Sequence, residues 1–81
     1  MNIFIGNLSY NVRENDLREV MEEYGAVASV KVIKDRNTGR SKGFGFCEME
    51  NDEDAKRAIE KLNGTELSGR PLVVNEAMPR D

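Results

Sequence analysis

The chain has 81 residues, with 12 Lys and Arg against 15 Asp and Glu, no histidine and one cysteine, for a net charge of −3. That length makes one small domain with a modest core, and the residue counts remove internal disulfides and most metal-site and nucleophile chemistry. No apolar run approaches the ~18 residues of a membrane span, and no leader-like segment precedes the first apolar strand, so a cytoplasmic setting is expected.

Residues 2–8 alternate as a strand, with Ile3 and Ile5 on one face and Phe4 on the other. In residues 14–24 the apolar side chains Leu17, Val20, Met21 and Tyr24 recur at helical spacing, so a helix is expected there. Glu14 and Asp16 suit its N-terminal dipole, Arg13 is a poor N-cap, and Gly25 stops it. Tyr10, in the preceding loop, is expected to pack on the fold, the other reading being a ring that flanks a bound ligand. Residues 28–35 form a second strand with Val30 and Val32 inward and Lys31 and Ile33 outward. A turn-rich loop containing Asn37-Thr38-Gly39 leads into a third strand, 42–49. Asn51 caps a second helix with the stripe Ala55, Ala58, Ile59 and Leu62, and Asp54 offers a weak capping box. Asn63-Gly64 closes that helix. Gly69-Arg70-Pro71 turns into a last strand, 72–77, with Leu72 and Val74 inward and Val73 and Asn75 outward.

The most telling stretch is Lys42-Gly43-Phe44-Gly45-Phe46-Cys47-Glu48-Met49. Alternation puts Phe44 and Phe46 on one face and Gly45, Cys47 and Met49 on the other. The inward face already has its own apolar residues, so the rings read as displayed. Displayed rings beside a basic loop offer flat surfaces to bases and cations to phosphates. The ordinary alternative is three sheet aromatics covered by another layer. Glu48 shares the ring face, where its carboxylate either accepts from a base amine or repels phosphate.

The octamer, with Ile3-Phe4-Ile5-Gly6-Asn7-Leu8 before it, resembles the paired motifs of the RNA-recognition motif (RRM) family. Lys42, Gly43, Phe44, Gly45 and Phe46 match the pattern K/R-G-F/Y-G/A-F-V-x-F/Y. Cys47 replaces the usual Val and Met49 the usual aromatic, both on the inward face. The resemblance implies one domain over residues 1–79 with a short tail at 80–81, similar to small stand-alone bacterial RRM proteins. The strand–helix–strand–strand–helix–strand order is that of an α+β, ferredoxin-like split βαβ fold, a four-stranded antiparallel sheet with both helices on one face. The first and third strands would be the central pair, bringing Phe4 beside Phe46.

The expected partner is short single-stranded RNA, or single-stranded DNA, bound by a monomer without catalysis, cofactor, metal, membrane or small-molecule substrate. Phe4, Phe44 and Phe46 would stack on bases or lie against sugars. Lys42, Lys31, Arg36, Arg40, Asn75 and Arg80 would contact phosphates or base edges. The acidic total does not oppose this, because residues 31–42 hold five cations (Lys31, Lys34, Arg36, Arg40, Lys42) and a single acid, Asp35, while nine acids lie on the helices. Two rivals stand beside it. One is a protein-interaction module of the same fold, which usually lacks the displayed rings. The other is an acylphosphatase-like enzyme, whose catalytic arginine is missing from the loop at residues 7–11.

Overall fold

Ile3 and Ile5, at 0% and 1% exposure, pin strand β1 (Asn2–Gly6) to the core. The computed structural model describes residues 1–77, with backbone alone at Ser41 and Lys42. After β1 come helix α1 (Glu14–Glu22), strands β2 (Val27–Lys34) and β3 (Ser41–Met49), and helix α2 (Asp52–Leu62). A short hairpin of β4 (Glu66–Leu67) and β5 (Arg70–Pro71) precedes β6 (Val73–Glu76). The main sheet is antiparallel in the order β2-β3-β1-β6. Leu17 and Met21 of α1, and Ala55, Ala58 and Leu62 of α2, are buried with Ile3, Ile5, Cys47, Met49 and Val74 in one cluster. Both helices therefore cover one face of the sheet, and the ferredoxin-like expectation holds.

Several local expectations need correction. The first helix ends at Glu22, and Tyr24 sits in the turn beyond, its N–H donating to the Met21 carbonyl at 3.0 Å. Its N-terminus is closed from within: Asp16 Oδ2 accepts from the Arg13 N–H at 2.9 Å. Asn51 caps α2 as expected, accepting from the Glu53 and Asp54 N–H groups at 2.8 and 3.1 Å. The Asp54 carboxylate lies where a Cβ on Gly25 would project, so glycine is required there for packing and not as the stop of α1, whose C-cap is Glu23 and whose end precedes Gly25, a residue without the positive φ of a C′ glycine. Strand β2 begins one residue earlier than expected and shifts register twice, between Val27 and Ser29 and between Val32 and Lys34, and Val30, expected inward, is half-buried on this edge strand. The turn at Gly69 belongs to the β4–β5 hairpin, whose tip residues Ser68 and Gly69 both have positive φ, 54° and 84°, as a mirror-image hairpin turn requires.

Both exposed sheet edges are guarded. The Val32 N–H on edge strand β2 donates to Glu14 Oε2 at 3.3 Å, and the Val74 N–H on edge strand β6 donates to Asn63 Oδ1 at 3.0 Å. Side chains at helix ends thus occupy donors that could otherwise recruit another strand.

Cys47 is 1% exposed, on the core side of β3. Burial pushes its thiol up to about 11 from the ordinary 9.0, with Arg18 opposing the rise and Glu48 adding to it. Folding therefore holds the proton on. The associated stability is complete below about pH 9 and is lost as pH climbs toward 11, where the unfolded chain ionises first. Cys47→Val should change stability at neutral pH by less than about 1.5 kcal/mol, as volume-conserving core swaps do. It should also remove that alkaline component, measured by urea melts at pH 7 and pH 10. Rapid labelling of the native thiol at neutral pH would instead place Cys47 outside and shift the register of β3 by one.

Candidate nucleic-acid interface

The face opposite the helices carries all three phenylalanines. Phe4 and Phe46 are direct partners across the central β1–β3 ladder. Their ring centroids lie 5.8 Å apart at 86°, and Phe44 lies 6.0 Å from Phe4 at 6° and 6.2 Å from Phe46 at 86°. Each ring is thus held by two others in favourable offset or edge-to-face geometry. Phe46 is 39% exposed, while Phe4 and Phe44 are half-buried.

Glycines make this arrangement possible. A Cβ at Gly6 would come 2.9 Å from Phe4 Cε2, so the Phe4 ring reclines over a position that must stay bare. A Cβ at Gly45 would collide with the Lys31 carbonyl oxygen, so glycine lets β2 close against β3.

Register extends the platform into a row across all four strands. Lys31 pairs with Phe46, Phe46 with Phe4, and Phe4 with Asn75. Three strand spacings make that row about 14 Å long. Lys31 and Asn75 are both exposed at its ends. The expected site residues Phe4, Phe44, Phe46, Lys31 and Asn75 therefore converge.

Arg36 and Arg40 are exposed in the β2–β3 loop, away from that row. The loop is closed by Asp35 N–H to the Arg40 carbonyl at 2.7 Å and Gly39 N–H to the Asp35 carbonyl at 2.8 Å. The Lys42 side chain and Arg80 lie outside the described residues.

Tyr10 contradicts its expectation. It is 69% exposed, because its neighbours Leu8 and Val12 take the buried positions at 1% and 2%. It lines a cleft of about 510 Å³ with Arg13, Glu14, Lys34 and Arg40, between the start of α1 and the end of β2. Pattern reading missed this cleft because its residues come from three separate segments.

A family model for the RNA recognition motif matches residues 3–73. A Synechocystis protein provisionally named RNA-binding protein RbpA is 53% identical over 81 residues, covering all of this chain and 80% of the relative. The crystal structure of RNA binding protein PG1 superposes with a TM-score of 0.95 at 58% identity, covering 100% of this chain and 98% of that one. The structure of the Rna15 RRM with bound RNA (GU) superposes with a TM-score of 0.87 at 30% identity, over 99% of this chain and 85% of the other. The two sequence motifs, the sheet order that joins them and these likenesses agree: the chain belongs to the RNA recognition motif family.

Proposed function

We propose that this domain binds RNA of a few nucleotides as a single strand on its open sheet face and performs no chemistry on it. The carrying observation is the cluster of three rings in mutual contact on the sheet face that the helices leave open among the described residues. A duplex hides its base faces; unpaired bases can stack on Phe4 and Phe46, with Phe44 against sugar or a further base. Asn75 ends the row with an amide that can donate to and accept from a base edge. Lys31, Lys42, Arg36, Arg40 and Arg80 supply cations for phosphates. Stacking does not read the 2′-hydroxyl, so single-stranded DNA is a second ligand on this reading. The domain acts as a monomer, in a reducing cytoplasmic setting that suits a lone buried cysteine.

Affinity should depend on salt with a shallow slope. Three or four neutralised phosphates give a log–log slope of about −2 to −3 for a single strand. Lys42→Ala should flatten it by about 0.7. The check is a titration of labelled hexanucleotide RNA across a salt series, with duplex RNA of the same sequence as competitor. Equal slopes would remove Lys42 from the phosphate contacts. Duplex competing as well as single strand would overturn the single-strand reading.

A further inference from the structure

Two residues along the strands from the ring row lies a second, polar row on the same face. Glu48 follows Phe46 by two residues and Asn2 precedes Phe4 by two, so each shares the face of its ring, about 7 Å away. Glu48 pairs with Asn2 across β1–β3 and with Ser29 across β2–β3. All three are exposed. Among the described residues no hydrogen bond or ion pair engages the Glu48 carboxylate or the Asn2 side-chain amide.

The charge along the sheet has a direction. Glu48, with Glu50 beyond it, stands at one end of β3, while Lys34, Arg36 and Arg40 cluster at the other. A polyanion lying over the rings is repelled at the Glu48 end and attracted at the opposite end. Phosphates therefore favour the cationic end, which turns the edges of the stacked bases toward Glu48 and Asn2.

The row then discriminates among those edges. An ionised carboxylate only accepts, while an amide both donates and accepts. Guanine presents two adjacent donors, N1–H and the N2 amine, which a carboxylate can take bidentately, and beside them the O6 acceptor, which the Asn2 amide can meet. Adenine and cytosine each set one amine beside a ring-nitrogen acceptor that opposes a carboxylate. Uracil sets its single N3–H between two carbonyl acceptors.

We propose that Glu48, with Asn2 beside it, makes this end of the platform a guanine-selecting subsite that disfavours uracil. The proposal rests on the single-strand RNA reading above and goes beyond it by naming the base and the residue that chooses it.

The test titrates the full chain with labelled hexauridylate and with variants carrying one guanosine, adenosine, cytidine or inosine at each position in turn. At the favoured position guanosine should bind about tenfold tighter than uridine, the scale of one good bidentate contact. Inosine, which lacks the N2 amine, should fall between. Glu48→Gln, an exposed substitution expected to melt like the parent, should lose most of the guanosine preference and bind hexauridylate at least as well as before. Equal affinity for guanosine and uridine at every position, or a preference that survives Glu48→Gln, would overturn the subsite while leaving RNA binding intact. Failure of every oligonucleotide to bind the parent would overturn the RNA platform itself, and the subsite with it.

Discussion

Phe46→Ala and Phe4→Ala should each weaken RNA binding by about 1–3 kcal/mol, the worth of one base stacked on an aromatic ring. Stability should fall by much less than the roughly 3–5 kcal/mol expected on emptying a core phenylalanine site. Phe46 is 39% exposed, so truncation leaves little cavity. What the fold loses is chiefly the edge-to-face contacts with Phe4 and Phe44 at 5.8 and 6.2 Å, each worth about 0.5–1.5 kcal/mol. Phe4 is more enclosed, reclining over Gly6 between two strands, so its truncation should cost the fold somewhat more than that of Phe46. Urea melts and fluorescence titrations of both variants separate the two quantities. If either variant unfolds as readily as a core truncation while its folded fraction keeps full affinity, the rings belong to a packing layer, and a protein partner over the sheet becomes the better account.

The parts of this design that are local in the chain could be read from it. Period-two alternation assigned Ile3, Phe4 and Ile5, and Phe44 through Met49, to the correct faces, and the helical stripe picked out Leu17, Met21, Ala55, Ala58 and Leu62. What pattern reading could not supply is non-local. That Phe4 stands directly opposite Phe46 follows from β1 lying between β3 and β6, and the residue order alone is silent on that; the family resemblance carried the expectation. The rung joining Glu48 to Asn2 links residues at opposite ends of their strands, and no periodicity announces it. The hairpin at Glu66–Leu67 and Arg70–Pro71 has strands too short to show a period, so Gly69-Arg70-Pro71 reads in the sequence as a turn leading straight into the last strand. Tyr10 was misplaced because an aromatic in a loop usually finds a hydrophobic seat; here Leu8 and Val12 already fill the seats within reach. The edge-capping contacts of Glu14 and Asn63 were invisible for a similar reason, since each depends on how a helix end meets a distant strand.

Ile5→Ala, one residue from Phe4, should behave in the opposite way to the ring variants. Ile5 is 1% exposed and sits on central strand β1, paired with Gly45 on one side and Val74 on the other. Gly45 has no side chain to move into the space, and Val74 is itself buried at 1%, so a cavity left at Ile5 collapses poorly and the cost should be about 2–5 kcal/mol. That is a large share of the roughly 5–15 kcal/mol that holds a small domain together. The RNA face is untouched, because Ile5 points into the helix layer. Apparent affinity should therefore weaken only by the factor that the unfolded fraction removes, since binding scales with the population able to bind. A variant that retains about 1.4 kcal/mol of stability is still roughly nine-tenths folded and should titrate almost like the parent. The decisive comparison is affinity corrected for folded fraction, from melts and titrations in the same buffer. An Ile5→Ala protein that melts like the parent but binds RNA tenfold worse would show that Ile5, and not Phe4, faces the ligand. The register on which the platform, the polar row and the guanine subsite all stand would then be reversed.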